Sequence, residues 1–154
     1  MIKYAEFSDI PEIYRMLVAF GESANFPLYH GEAENIAEQV IYERIHRVIH
    51  EGIALVSLVN DERQLNGMLL AVLCNDHWKP ESRFVHELAW WVDPDYRRGT
   101  TGYRLLAAYQ EICDDMMNRG VIEYYNISTL AESPVSSLQK RGWEPLQTTW
   151  KKGL

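Results

Sequence analysis

Cysteine is scarce: the 154 residues hold two, Cys74 and Cys113, each inside an apolar run, so they read as small core residues and not as a disulfide framework. No metal-type spacing accompanies them. Long hydrophobic runs are missing too. None approaches the ~18 residues of a membrane span, and Met1-Ile2-Lys3-Tyr4 lacks the apolar core of a signal peptide. A cytoplasmic, reducing location with no membrane partner is the expectation. Positive charge is in deficit, with 15 Lys and Arg against 22 Asp and Glu and a net charge of −7. That argues against a nucleic-acid partner, which would need surplus cations to neutralise phosphates. The same charge suits solubility first and a small cationic substrate second.

What is present is ordinary globular composition, 47% hydrophobic and 24% charged, at a length that predicts a single domain over 1–154. Residues 2–7 read as an opening strand. Ser8, Asp9 and Pro11 then supply helix-start signals, and Ile10, Ile13, Tyr14, Leu17 and Val18 form an apolar face that ends near Gly21. A second helix is predicted over Glu32–His50, with Ala37, Val40, Ile41, Ile45, Val48 and Ile49 inward. Ile53–Val59 and Leu65–Cys74 read as two well-covered strands joined by a polar turn, and Arg83–Val92 as a third. A helix over Thr101–Arg119 follows, capped by Gly120. Then come a strand over Val121–Ser128, a short helix opened by Ser133-Pro134 and closed by Gly142, and a last strand over Leu146–Lys151. Three consecutive strands imply antiparallel pairing, and the strand–helix–strand unit from 83 to 128 implies a parallel neighbour. The fold class is α/β (α+β), a mixed, mostly antiparallel sheet with helices on both faces.

The most informative segment is Val92-Asp93-Pro94-Asp95-Tyr96-Arg97-Arg98-Gly99-Thr100-Thr101-Gly102-Tyr103-Arg104, a basic turn between an apolar strand and an amphipathic helix. Free N–H groups and the positive end of the helix dipole make it an anion site. A P-loop would need Lys and then Ser or Thr after its last glycine, and Tyr103-Arg104 stand there instead. A Rossmann turn needs three glycines on an early strand. The turn resembles the acyl-CoA signature of the GNAT family of N-acetyltransferases, which is Arg or Gln, two residues, Gly, one residue, then Gly or Ala. Here it is Arg97-Arg98-Gly99-Thr100-Thr101-Gly102, with Pro94 and Tyr96 before it and Lys140-Arg141-Gly142-Trp143 similar to the family's closing Lys-x-Gly-Phe. Thr100 stands where the family prefers glycine. A β-branched residue there predicts weakened or re-routed phosphate contacts.

The resemblance implies acetyl-CoA as cosubstrate, direct acetyl transfer to an amine, and no metal. Backbone groups of Trp91 and Val92 would pair with the pantetheine arm, and Arg97, Arg98, Gly99, Thr100, Thr101 and Gly102 would hold the pyrophosphate. Glu87, a carboxylate among apolar residues on the strand, is the candidate general base, directly or through water. A structural Glu paired to a neighbour stands beside that reading. His86 falls on the opposite strand face and reads as structural. The family's frequent general acid, a Tyr four residues before the closing Gly, is Leu138 here, leaving Tyr124, Tyr125, Ser133 or solvent. Tyr29 and His30 lie where the family shapes its acceptor site, with packing on the core as the bland alternative. His46 and His50 have i, i+4 spacing without a third ligand, so they read as a solvated face. Trp78, Trp90, Trp91, Trp143 and Trp150 read as core or interface, and the family's habit makes Trp150 a homodimer contact. A non-catalytic CoA-binding or protein-binding module on the same fold is the alternative, motivated by Thr100 and Leu138.

Overall fold

The computed structural model describes residues 1–24, 34–59, 64–129, 136–147, 150 and 152, without the side chains of 34–37 and 136–137. Its elements are β1 (Ile2–Tyr4), α1 (Ile10–Ser23), α2 (Glu34–Glu51), β2 (Ile53–Leu58), β3 (Leu65–Asn75), β4 (Arg83–Val92), α3 (Thr101–Asn118), β5 (Tyr124–Asn126) and α4 (Ser136–Gln139). The sheet runs in the order β1-β2-β3-β4-β5. Its first three pairings are antiparallel and β4–β5 is parallel.

Both faces of the sheet are covered, which is why β2 and β3 are nearly continuous apolar runs. On one face Ile13 and Met16 of α1 and Ile41, Ile45 and Val48 of α2 pack on Val56, Met68, Leu70, Ala89 and Trp91. On the other, Leu105, Leu106, Tyr109 and Cys113 of α3 pack on Leu55, Leu69, Ala71 and Val85. Among the described residues no helix is long and apolar enough to cross a membrane.

Several boundaries differ from those the sequence predicts, for local reasons. A 3-10 turn, Phe7–Asp9, precedes α1, and the Asp9 carboxylate accepts the Glu6 N–H at 2.9 Å. α1 continues through Gly21 to Ser23, because Gly21 is buried in helix packing and does not act as a stop. Val40 is 38% exposed where an inward position is expected; adjacent residues lie about 100° apart on a helix, and Ile41 takes the core position. Gly120 and Gly142 do close their helices, at φ +70 and +83, the left-handed region where glycine carries no Cβ penalty. β5 is shorter than the predicted 121–128, since β4 offers it a partner only over Phe84–His86. Glu144–Gln147 form no strand, and Ser133-Pro134 and part of the predicted last strand fall outside the described residues.

Candidate functional site

Strand β4 changes character along its length. Over Phe84–His86 it is bonded on both edges, to β3 and to β5. A bulge then intervenes. Glu87 faces Ala71 and Ala89 faces Leu70, leaving Leu88 as an extra residue, and bulges bend and twist the strand that carries them. Beyond it β4 and β5 separate, so one edge of residues 87–92 has no strand partner among the described residues.

Peptide geometry says which groups line that edge. The Asp93 N–H donates to the Asn66 carbonyl on β3 at 2.9 Å, and the Val92 C=O, in the same planar peptide, must point the opposite way. By alternation the Val92 N–H and both polar groups of Trp90 also point into the opening, while those of Trp91 face β3. The Trp91 backbone, expected to meet a ligand, thus faces β3, and it is the Trp90 backbone that faces the opening beside Val92. The Val92 carbonyl is already taken, by Arg97 Nε at 2.9 Å, and the same guanidinium lies 4.4 Å over the Trp91 ring. Arg97 therefore ties the turn to the strand end and turns away from the helix start.

Helix α3 begins where the open edge ends. Thr100 occupies its N-cap position at φ −97 and its hydroxyl makes no capping bond. That φ is open to any residue, so Thr in place of Gly causes no backbone strain here. The Arg104 N–H donates to the Thr100 carbonyl at 2.9 Å, whereas the N–H groups of Thr100, Thr101, Gly102 and Tyr103 have no acceptor among the described residues. A Cβ on Gly99 would stand 3.5 Å from the Tyr96 carbonyl, and one on Gly102 3.5 Å from Val92, both ordinary contacts. Neither glycine is required by internal packing or by a positive φ. What they leave is a bare surface over a row of donors. Arg98 and Arg104 form no ion pair among the described residues.

The point where β4 and β5 part is held by side chains in place of backbone. Glu87, 4% exposed, lies on the α3 face, and its Oε2 accepts the Ser128 N–H at 2.9 Å. Burial pushes its carboxyl up to about 7, with the Ser128 N–H opposing. The Tyr109 hydroxyl donates to the Asn126 carbonyl at 2.9 Å from α3. On the opposite face His86 Nδ1 meets Asn126 Oδ1 at 2.9 Å. The periodicity that singles out Glu87 carries no sign of Asn126, Ser128 or Tyr109, which only the crossover through α3 brings to it.

The remaining candidates separate clearly. Leu138 packs in the α3-side core and its carbonyl accepts the Arg141 and Trp143 N–H groups at 2.9 and 3.2 Å. The Tyr125 hydroxyl is held by Asp114 at 2.6 Å, and the Tyr124 ring stacks on Phe84 at 4.9 Å. His46 stacks on Phe7 at 4.2 Å, and among the described residues no three His, Cys, Asp or Glu gather as a metal site. Trp91 is buried, whereas Trp78 and Trp150 are 89% and 90% exposed. Tyr29, His30 and Ser133 lie outside the described residues.

No protein-family model matches the chain, and no curated protein matches its sequence. Solved structures do match. A Trypanosoma brucei acetyltransferase is 16% identical with a TM-score of 0.70, the match covering 100% of this chain and 99% of that one. A GNAT family acetyltransferase from Staphylococcus aureus is 14% identical with a TM-score of 0.63, covering 100% and 98%. A transcriptional regulator from Bacillus halodurans has 14% identity and a TM-score of 0.72, covering 100% and 99%. The chain has the GNAT fold. At these identities the likeness is one of fold, and activity must be argued from the site.

Proposed function

We propose that this protein is an acetyl-CoA-dependent N-acetyltransferase that passes the acetyl group directly to a primary amine. The observation that carries the reading is the continuity of the open β4 edge with the unpaired N–H row of α3. An extended, amide-bearing arm ending in a pyrophosphate matches such a surface: its amides meet Trp90 and Val92, and its phosphates meet the N–H groups of Thr100–Tyr103 with Arg98 and Arg104 alongside. Arg97 contributes by fixing the turn. The thioester end then lies toward Glu87, which takes up a proton through water, since its oxygens are enclosed. Tyr29 and His30 are kept as acceptor-lining residues on the strength of the sequence resemblance, and exposed Trp150 as a homodimer contact.

A second reading, a non-catalytic acyl-CoA-binding module, is favoured by Leu138, which offers no hydroxyl to the departing sulfur. One experiment separates the two. Acetyl-CoA should raise the melting temperature, and thiol should appear when a primary amine is added. Stabilisation without thiol across a broad amine panel selects the binding module. No stabilisation well above micromolar acetyl-CoA removes both.

A further inference from the structure

The parting of β4 and β5 has two faces, and they differ in access. On the α3 face Glu87 is enclosed and accepts the Ser128 N–H. The other face is marked by His86, whose cross-strand partner Val72 packs with the α1–α2 core. There the side chain next to the opening is half-buried His86. On the acetyl-transfer reading the acceptor amine is taken to approach from the His86 side, since His86 is half-buried whereas Glu87 is enclosed.

We infer that His86 is the group that takes the first proton from the acceptor's ammonium, with Asn126 as its positioning residue. The inference rests on the acetyl-transfer reading above. In the tautomer this inference uses, the Nδ1–H donates to Asn126 Oδ1 across the 2.9 Å contact, which leaves the lone pair on Nε2. Nε2 has no partner among the described residues. His86 stands at the last β4–β5 pair, His86↔Asn126, one residue before the opening begins. It is half-buried, so its ring is held in place yet can return a proton to water.

Amine acetylation takes two protons from the ammonium nitrogen, one to solvent and one to the departing sulfur, which suits two groups on two faces. The ammonium gives its first proton to Nε2, and the neutral nitrogen attacks the thioester carbonyl. As the N–C bond forms and the C–S bond breaks, the second proton passes from nitrogen to the departing sulfur through the water at Glu87. The His86 proton goes to solvent. The products are the amide, CoA thiol and one proton, and no further reactant is needed.

The surroundings of His86 do not compete for this role. Its own face of the sheet carries Phe84 on β4, Tyr124 on β5, and Val72 and Cys74 on β3, with no ion among them. Glu87 points to the opposite face, paired with Ala71. The last turn of α2 turns Val48 and Ile49 to the core, while Arg47, His50 and Glu51 are exposed.

The test compares wild type, H86Q, H86A and N126D with phenylethylamine, spermidine and a lysine peptide as acceptors. H86Q should keep its acetyl-CoA stabilisation and lose about a hundredfold in kcat, and added imidazole should restore part of the H86A rate. In N126D a carboxylate faces Nδ1, so the acidic limb of the kcat/KM profile should move to higher pH. Turnover of H86Q within a few-fold of wild type overturns the assignment. If acetyl-CoA stabilises wild type but no amine reacts, the transfer reading fails by itself. Carbethoxylation of His86 by diethyl pyrocarbonate, followed by peptide mass spectrometry, then decides the placement of Nε2. Labelling slowed by acetyl-CoA supports it; absent labelling, or labelling indifferent to acetyl-CoA, overturns it.

Discussion

The two halves of β4 have similar apolar sequences and opposite roles. Arg83–His86 is bonded on both edges, and aromatic stacking of Phe84 on Tyr124 reinforces the junction. Residues 87–92 keep β3 but have no strand partner on the other edge among the described residues, and there the polar groups of Trp90 and the Val92 N–H have no partner among those residues. Backbone left unpaired in the middle of a domain is costly unless something else bonds to it. The closed half is therefore architecture, and the open half is the surface proposed above to bind acetyl-CoA. The bulge at Leu88 and the side-chain bonds around Asn126 and Ser128 form the boundary between them.

Changes at that boundary should break the distinction by graded amounts. The largest effect is expected from E87Q and depends on pH. An unfolded Glu titrates near 4.5, whereas burial holds the folded carboxyl up at about 7. Below the lower value both states are protonated. Between the two the folded state alone keeps the proton, so stability falls as pH rises from about 4.5 through 7 and stays reduced above. Gln cannot ionise, and its carbonyl still accepts the Ser128 N–H. Denaturant unfolding should therefore find E87Q nearly equal to wild type near pH 4 and more stable near pH 8, by something on the order of 3 kcal/mol. Its turnover should nevertheless fall with acetyl-CoA stabilisation intact. A variant less stable than wild type at both pH values would make Glu87 a purely structural strut.

A smaller effect is expected from Y109F. It removes the hydroxyl that donates to the Asn126 carbonyl while keeping the buried ring, and should lower stability by about 1 kcal/mol. Because the bond comes from α3, its loss should loosen β5 where it leaves β4. Faster exchange of the Ser128 amide in Y109F would show this; unchanged exchange would place the hold elsewhere.

Most of the architecture could be read in the sequence because its signals are local. β4 at Arg83–Val92 and α3 from Thr101 follow from alternation, Pro94 and the glycine turn. The mixed sheet follows from element order. The geometry of the candidate site was legible in position and less so in detail. Which backbone groups face the opening depends on strand register, set by Asn66 and by a bulge that leaves no compositional trace, so the sequence does not show that the Trp91 backbone faces β3 and that of Trp90 the opening. Arg97 reads as a phosphate ligand from the motif, yet its position just beyond the strand lets it bond back to Val92. Thr100 looks like a flaw only if a positive φ is assumed. His86 reads as structural because Asn126 lies 40 residues away and reaches it only through the parallel crossover.

The central claim, that the open edge of β4 holds the pantetheine arm of acetyl-CoA, is most directly tested by residue-resolved amide exchange. Acetyl-CoA should slow exchange at Trp90 and Val92 and along Thr100–Tyr103, while Phe84–His86, already bonded on both edges, should change little. Unchanged exchange at Trp90 and Val92 under saturating acetyl-CoA would contradict the account.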